Sequence, residues 1–295
     1  MKKITFLLTL LFFLTNCEKV IDLKLPKGER KVVIEGFIES GKTAEVFVTY
    51  TSPYFSKFDQ NMLFNLIEKN ALVVISDGID YDTLKLITDP YVFPFFKYKG
   101  SKIFGEEGKS YHLKVIINDT TYYAKTYIPN HVKIDSLKFI PSTSIDSIGF
   151  VKLYMKDPDE PGNYYRVFTK VIGKDSTYLH PYPSVFDDRL FNGKYVEYEL
   201  YRGRNPLEDY KYDEFGRDSS GNFRWYFNIG ETVVVKGCAI DYDHYSFWYS
   251  VEQQEITADN PFTTPVNLRS NIKGGAIGIW GGYACYYDTI KITKN

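Results

Sequence analysis

The sequence is poor in several things, and each shortage excludes a class of protein. It holds 3 cysteines, Cys17, Cys238 and Cys285, which is too few for a disulfide-knit scaffold. Neither Cys238 nor Cys285 has a nearby His or Cys at zinc-ligand spacing. The 4 histidines, His112, His131, His180 and His244, are scattered, and no His-Glu-x-x-His or comparable pattern occurs. No resident metal or other cofactor is therefore expected. The 36 Lys+Arg nearly cancel the 37 Asp+Glu, and no block of five or six like charges appears. Nucleic acid is not an expected partner. Internal repeats and low-complexity tracts are absent too.

What the chain has in plenty is aromatic side chains: 26 Tyr and 22 Phe within a hydrophobic content of 44%. That content supports real cores and argues against disorder. Tyr and Phe favour strands, so one reading is a β-rich protein with aromatic-filled sandwiches. The other is an aromatic binding surface, because Tyr and Trp offer an apolar body with a polar tip. The two are compatible.

Met1 to Cys17 opens with Lys2-Lys3, continues as an apolar run from Ile4 to Leu14, and ends in Thr15-Asn16-Cys17. This is the layout of a secretory signal, a charged start followed by an apolar stretch. The run is shorter than the ~20 residues a helix needs to span a bilayer. Leu14-Thr15-Asn16-Cys17 resembles a bacterial lipobox, with Asn16 where a smaller residue is usual. The expectation is a signal peptide over residues 1–16, lipidation at Cys17, and a polar tether over 17–30.

Alternation of apolar and polar residues then predicts strands along most of the chain. Lys31–Ser40 and Thr43–Tyr50 flank a turn at Gly41-Lys42, and Ala71–Ser76 precedes the hairpin signal Asp77-Gly78. Lys109–Ile117 and Thr120–Ile128 flank Asn118-Asp119. About seven short strands at this spacing suggest an immunoglobulin-like or prealbumin-like sandwich over residues 31–129. Met62–Lys69 has a helix-like period good for a turn or two, and the Pro94-broken aromatic block Tyr91–Tyr98 suits an edge or loop. A C-terminal β-rich domain is expected over 130–295, with strands near Phe150–Lys156, Asn163–Ile172, Tyr195–Tyr201, Phe223–Asn228 and Thr232–Tyr242. One convincing helix spans Tyr245–Ile256, capped by Asp241 or Asp243, with Tyr245, Trp248, Tyr249 and Ile256 as its apolar stripe. Two closing strands, Gly274–Tyr283 and Asp288–Thr293, complete a mainly β chain of two sandwich-like domains.

Cys17-Glu18-Lys19-Val20-Ile21-Asp22-Leu23, Val32–Gly36, Pro161–Val167, Glu252-Gln253-Gln254, Asn260-Pro261-Phe262 and Ser270–Gly278 form an ordered set of segments. Together they resemble the DUF4249 family of Bacteroidetes outer-membrane lipoproteins. The resemblance implies a lipid-anchored outer-membrane protein working beside a TonB-dependent transporter. It supplies no catalytic residues.

The candidate chemistry is correspondingly sparse. Gly274-Gly275-Ala276-Ile277-Gly278 lacks the context of a phosphate loop and is better explained by close backbone packing. Asp157, Asp159 and Glu160 have oxygens for Ca²⁺ but lie in a proline-flanked turn, and Asp241, Asp243 and His244 are explained by helix capping. No Gly-x-Ser-x-Gly elbow exists, and the chain is not expected to be an enzyme. Aromatic loops carrying Tyr54, Phe55, Phe58, Phe93, Phe95 and Phe96 are candidates for contact with a partner or a peptide ligand. Trp225, Trp248 and Trp280 are candidates for stacking on a glycan, with Trp248 better placed in the core. Cys238 and Cys285 suit either a disulfide or a pair of buried thiols. Asp followed by Ser or Thr and then by an apolar residue or Thr recurs at Asp82-Thr83-Leu84, Asp119-Thr120-Thr121, Asp135-Ser136-Leu137, Asp146-Ser147-Ile148, Asp175-Ser176-Thr177 and Asp288-Thr289-Ile290. Roughly one such triplet with a following apolar residue or Thr is expected by chance, and the pattern resembles an O-glycosylation signal. Turn aspartates leading into strands produce it as well.

Overall fold

The computed structural model describes residues 30–52, 64–89, 95–204, 211–213, 216–219, 221, 223–257 and 266–294. The expected lipidation site Cys17 and the aromatics Tyr54, Phe55, Phe58 and Phe93 lie outside these residues. In chain order the elements are β1 (Val32–Glu39), β2 (Thr43–Tyr50), β3 (Leu72–Ser76), β4 (Tyr81–Thr83), β5 (Lys85–Thr88), β6 (Phe96–Phe104), β7 (Ser110–Ile117) and β8 (Thr120–Tyr127). They continue as β9 (Ser136–Pro141), β10 (Ile148–Lys156), β11 (Tyr164–Val171), β12 (Val185–Asp187), β13 (Tyr195–Leu200), β14 (Phe227–Asn228), β15 (Thr232–Ile240), α1 (Tyr242–Thr257) and β16 (Ile277–Lys291).

Three sheets form. The largest has eight strands in the order β12-β11-β15-β16-β1-β2-β6-β5, and two four-stranded sheets, β4-β3-β7-β8 and β13-β10-β14 with β9 on β10, accompany it. The division expected between residues 129 and 130 is not a division of sheets. β1 pairs in parallel with β16, from Val33 opposite Ile277 to Glu39 opposite Tyr283, so strands from both segments share the large sheet. Two closing strands were expected where one 15-residue strand runs. β16 needs that length because its first part pairs with β1 and its second, from Ala284 to Lys291, with β15.

One face of the large sheet is apolar across its width. Ile34, Ile38, Val46, Val48, Val167, Val171, Val233, Val235, Ala239, Trp280 and Ala284 belong to one buried cluster with Val73, Ile75, Leu113 and Val115 of the first small sheet and Val151, Leu153 and Met155 of the second. This is period-two alternation read out as packing. Trp280 is fully buried and its indole Nε1 donates to the Tyr111 carbonyl at 3.0 Å, so it links the central strand to β7. Trp280 is thus a core residue and offers no surface for a glycan. Burying a side chain of its size contributes about 3 kcal/mol.

The C-terminal glycines serve backbone contact. Gly278 has φ 137°, and a Cβ there would lie 1.8 Å from the Ile34 carbonyl oxygen. The helix differs in detail from expectation. Asp241 caps it, its Oδ1 accepting the His244 N–H at 2.8 Å. The buried face holds His244, Tyr245, Ser246, Phe247, Ser250 and Glu252, while Tyr249 and Ile256 of the expected stripe are exposed. A stripe argument counts apolar residues, whereas this helix buries polar groups that have their own partners. Of the helix-like period at Met62–Lys69, Phe64 and Asn65 are helical and Met62 and Leu63 lie outside the described residues, and the strand expected over Phe223–Asn228 is only Phe227-Asn228.

Candidate functional site

The opposite face of the large sheet is where charge enters. Strand registers place Phe168 opposite Lys236, Arg166 opposite Cys238, and Tyr164 opposite Ile240. They likewise place Lys236 opposite Tyr287 and Cys238 opposite Cys285. Glu35, Phe37 and Glu39 alternate with the core residues Ile34 and Ile38 on β1, and Glu39 sits beside Tyr283. Cys238 and Cys285 are joined by a disulfide that ties β15 to β16 across a 47-residue separation.

α1 is seated on this face by four anchors. Asp241 Oδ2 accepts from Thr126 Oγ1 at 2.7 Å and from the Tyr127 N–H at 2.9 Å, tying the cap to β8. The His244 ring lies 4.5 Å from that of Tyr283 and directly over Gly281, where a Cβ would come within 2.3 Å of the imidazole. Tyr245 donates from its hydroxyl to Asp187 at 2.9 Å. Glu252 Oε1 accepts from the Ser184 N–H at 2.8 Å and from the Ser184 hydroxyl at 2.5 Å. Burial pushes His244 down to about 3, with Arg166 adding to the effect, so its imidazole is neutral at ordinary pH.

Two buried cations stand on the floor between these elements. The Lys236 ammonium is 2.8 Å from Glu39 Oε2, and Phe168, Tyr178, Tyr283 and Tyr287 place their ring centroids 5.2–5.7 Å from it. Glu39 also receives Lys42 at 2.8 Å and the Tyr287 hydroxyl at 2.5 Å. Burial disfavours charge on both partners. On Lys236 it leaves the ammonium below its ordinary value despite Glu39. On Glu39 burial is outweighed by Lys236, Lys42 and Tyr287, which hold the carboxyl below the usual range.

Arg166 is built differently. It is 4% exposed, and its Nη1 donates to the Tyr283 hydroxyl at 2.6 Å. Its guanidinium carbon lies 3.5 Å from the centroid of the Trp248 ring and 4.8 Å from that of Phe168. No carboxylate comes within 4.0 Å of it among the described residues, and its Nε has no hydrogen-bond partner. The indole Nε1 of Trp248 is buried and unpartnered as well. Glu35 and Glu252 act on Arg166 only through space. Glu35 and His180 are exposed and close enough to Arg166 to feel its charge, so solvent reaches the sheet face beside the guanidinium, the region called the recess. Burial raises the Glu35 carboxyl against the pull of Arg166. Burial first and Arg166 second lower His180 to about 4.

Chemically, the recess offers a desolvated planar cation, two unused N–H donors and aromatic walls, on strands cross-linked by a disulfide. Such an arrangement can accept an anionic group at the guanidinium edge. Among the described residues no group of three His, Cys, Asp or Glu is arranged to hold a metal ion. Asp157 is buried and occupied as an acceptor, taking the Tyr165 hydroxyl and, at 3.0 Å, the Gly193 N–H.

Of the sequence candidates, Trp248 and the two cysteines border the recess. Trp225 lies elsewhere, 41% exposed, with Arg224 over its ring at 4.4 Å and the Gly216 backbone against it. Phe95 and Phe96 lie near the β5–β6 edge, where both contact Phe64. The hydroxyl-bearing residues Thr83, Thr120, Ser136, Ser147, Ser176 and Thr289 are all exposed. Two of their leading aspartates have structural work of their own: Asp82 Oδ2 accepts the N–H groups of Ser101, Lys102 and Ile103, and Asp175 pairs with Arg202 at 2.6 Å. Sequence reasoning missed Arg166, Lys236, Glu35 and Glu39. A signal was present, since each is a charge embedded in an otherwise apolar strand run.

The family model described as Domain of unknown function (DUF4249) matches residues 18–286. The match covers nearly the whole chain, and the chain belongs to this family. No curated protein matches it.

Proposed function

We propose that this DUF4249 member is an exported, lipid-anchored binding protein that offers the Arg166 recess to a ligand and works beside a TonB-dependent outer-membrane transporter. The observation that carries the binding role is Arg166, a buried guanidinium with no carboxylate partner among the described residues, beside the solvent-accessible Glu35 and His180. A folded protein leaves such a group unpaired at a cost of several kcal/mol, which a ligand can recover. The anchor rests on the Met1–Cys17 pattern. No helix among the described residues is long and apolar enough to cross a membrane.

The test is purification of the full chain from its native host in mild detergent. The expected result is a di- or triacyl mass adduct on Cys17, co-purification of a TonB-dependent transporter, and loss of both in Cys17→Ala. An unmodified Cys17 would remove the anchor, and the absence of any transporter with Cys17 acylated would remove the partner. The reading as a glycan-binding module is weaker, because Trp280 is core and Arg224 already occupies the ring of Trp225.

A further inference from the structure

Resting on that reading of the recess, we infer that Arg166 is the anchor for a carboxylate, and that the ligand is a small molecule or chain end carrying one carboxylate beside an apolar or ring-shaped body. The argument begins with geometry. A guanidinium presents five N–H donors in a planar fork that matches a carboxylate edge. Here Nη1 is spent on the Tyr283 hydroxyl, while Nε is buried with nothing to donate to.

Trp248 and Phe168 hold the guanidinium plane, at 3.5 and 4.8 Å, so it does not have to be ordered when a ligand arrives. The Trp248 indole N–H belongs to the same stack and is also unused. Two of the three carboxylates nearest in this region are engaged elsewhere. Glu39 is taken by Lys236, Lys42 and Tyr287, and Glu252 by Ser184. Glu35, on β1, makes no hydrogen bond or ion pair among the described residues, and burial favours its protonated form, which reduces its competition for the cation.

The sign and number of charges narrow the ligand. Lys236 is neutralised by Glu39, so Arg166 is the one buried cation on this face without a carboxylate partner among the described residues, with Glu35 at its border. A dianionic phosphate would bring two negative charges to one guanidinium and face Glu35. A single carboxylate matches it. The aromatic walls, Phe37, Phe168, Trp248 and Tyr283, suit an apolar or ring-bearing body attached to that carboxylate. A peptide C-terminus and an acidic sugar share this chemistry.

The experiment follows the three indole N–H resonances of the ¹⁵N-labelled full chain, assigned through Trp248→Phe. The probes are N-acetylphenylalanine against its C-terminal amide, and glucuronate against glucose, titrated to about 10 mM so that a Kd near 1 mM is reached. The expected result is that at least one carboxylate probe shifts the Trp248 indole signal. Its neutral counterpart should bind at least tenfold more weakly, and Arg166→Met should lose the carboxylate preference while keeping a dispersed spectrum. A response to N-acetylphenylalanine alone identifies a peptide end, and one to glucuronate alone an acidic sugar. Equal shifts with the neutral probes, or an undiminished response in Arg166→Met, overturn the carboxylate assignment but leave the recess as the binding site. No shift of Trp248 with any of the four probes counts against both. Inorganic phosphate in the same titration is expected to bind less well than the better carboxylate, and tighter binding of phosphate also overturns the assignment.

Discussion

Lys236 and Arg166 enter the same face of one sheet from adjacent strands, and both are buried beneath aromatic rings. One has its charge answered inside the fold and the other does not. Lys236 has Glu39 at 2.8 Å, with Lys42 and Tyr287 completing the carboxylate's partners. Arg166 has a neutral hydroxyl and two ring faces. The difference separates two uses of a buried charge. A compensated ion is an internal part of the structure whose loss breaks it. An uncompensated one costs stability continuously and makes sense as a site.

The largest effect is expected on the Lys236 side. Lys236→Ala leaves Glu39 buried with only the rim residue Lys42 and Tyr287 to offset it, and should lower unfolding free energy by about 3 kcal/mol. Urea titration measures this. The double change Lys236→Met with Glu39→Gln removes both charges and should recover more than half of the loss. If the single variant unfolds at the wild-type midpoint, Lys236 is no more structural than Arg166 and the contrast fails. Next comes the seat of the helix that walls the recess. Gly281→Ala brings a Cβ within 2.3 Å of the His244 ring, which is itself buried and hydrogen-bonded to the Gly282 carbonyl at 3.2 Å. Overpacking of this kind costs about 2 kcal/mol. It should also shift the Trp248 indole resonance, because α1 must lift to admit the methyl group.

These contrasts also show why the fold was more legible than the site. Strands with a clean period of two, such as Thr43–Tyr50, Ser110–Ile117 and Thr120–Tyr127, are readable because one face meets a core and the other solvent. β16 was harder, since both of its faces are covered up to Ala284 and its pairing with β1 joins residues about 240 positions apart. No local pattern announces that pairing, and without it the two segments look like separate sandwiches. The site depends on it directly: Glu39 and Lys236 meet only because β1 and β15 flank the same strand. What the sequence did display was charge inside apolar strands, at Glu35, Glu39, Arg166 and Lys236. Counting catalytic motifs passes over such residues, because their meaning lies in whether a partner waits on the neighbouring strand.

A smaller effect is expected in acid. His244 is neutral in the folded state, held down to about 3 by burial and by Arg166, whereas in the unfolded chain it titrates near the ordinary ~6.5. Between those values the unfolded state binds the extra proton, so stability falls as pH drops from about 6.5 towards 3 and is unaffected above that range. The contribution is at most about 1.4 kcal/mol per pH unit. His244→Phe keeps a ring over Gly281 and removes the titration. Its denaturation midpoint should therefore depend less steeply on pH between 6 and 4, while at pH 7 it gives up about 1 kcal/mol with the hydrogen bond to Gly282. An unchanged slope would show that His244 is not the group whose proton the fold excludes.

The smallest effect is expected where the ligand site is placed. Arg166→Met removes the stacking on Trp248, which is worth about 0.5–2 kcal/mol, and leaves the Tyr283 hydroxyl without its donor. Against this it ends the desolvation of a guanidinium that has no counter-charge, a cost of several kcal/mol in apolar surroundings. It also puts an adaptable thioether between Trp248 and Phe168, where sulfur–aromatic contacts are favourable. The two sides nearly cancel, and unfolding free energy should stay within about 1 kcal/mol of the parent, with Arg166→Met combined with Tyr283→Phe at or above it. This contrasts with Lys236→Ala, on the same sheet face and at similar burial. A loss of about 3 kcal/mol in Arg166→Met would mean that the fold depends on this guanidinium as it depends on Lys236. Near-parity in stability, together with loss of carboxylate preference, is the combination that a structural role cannot produce.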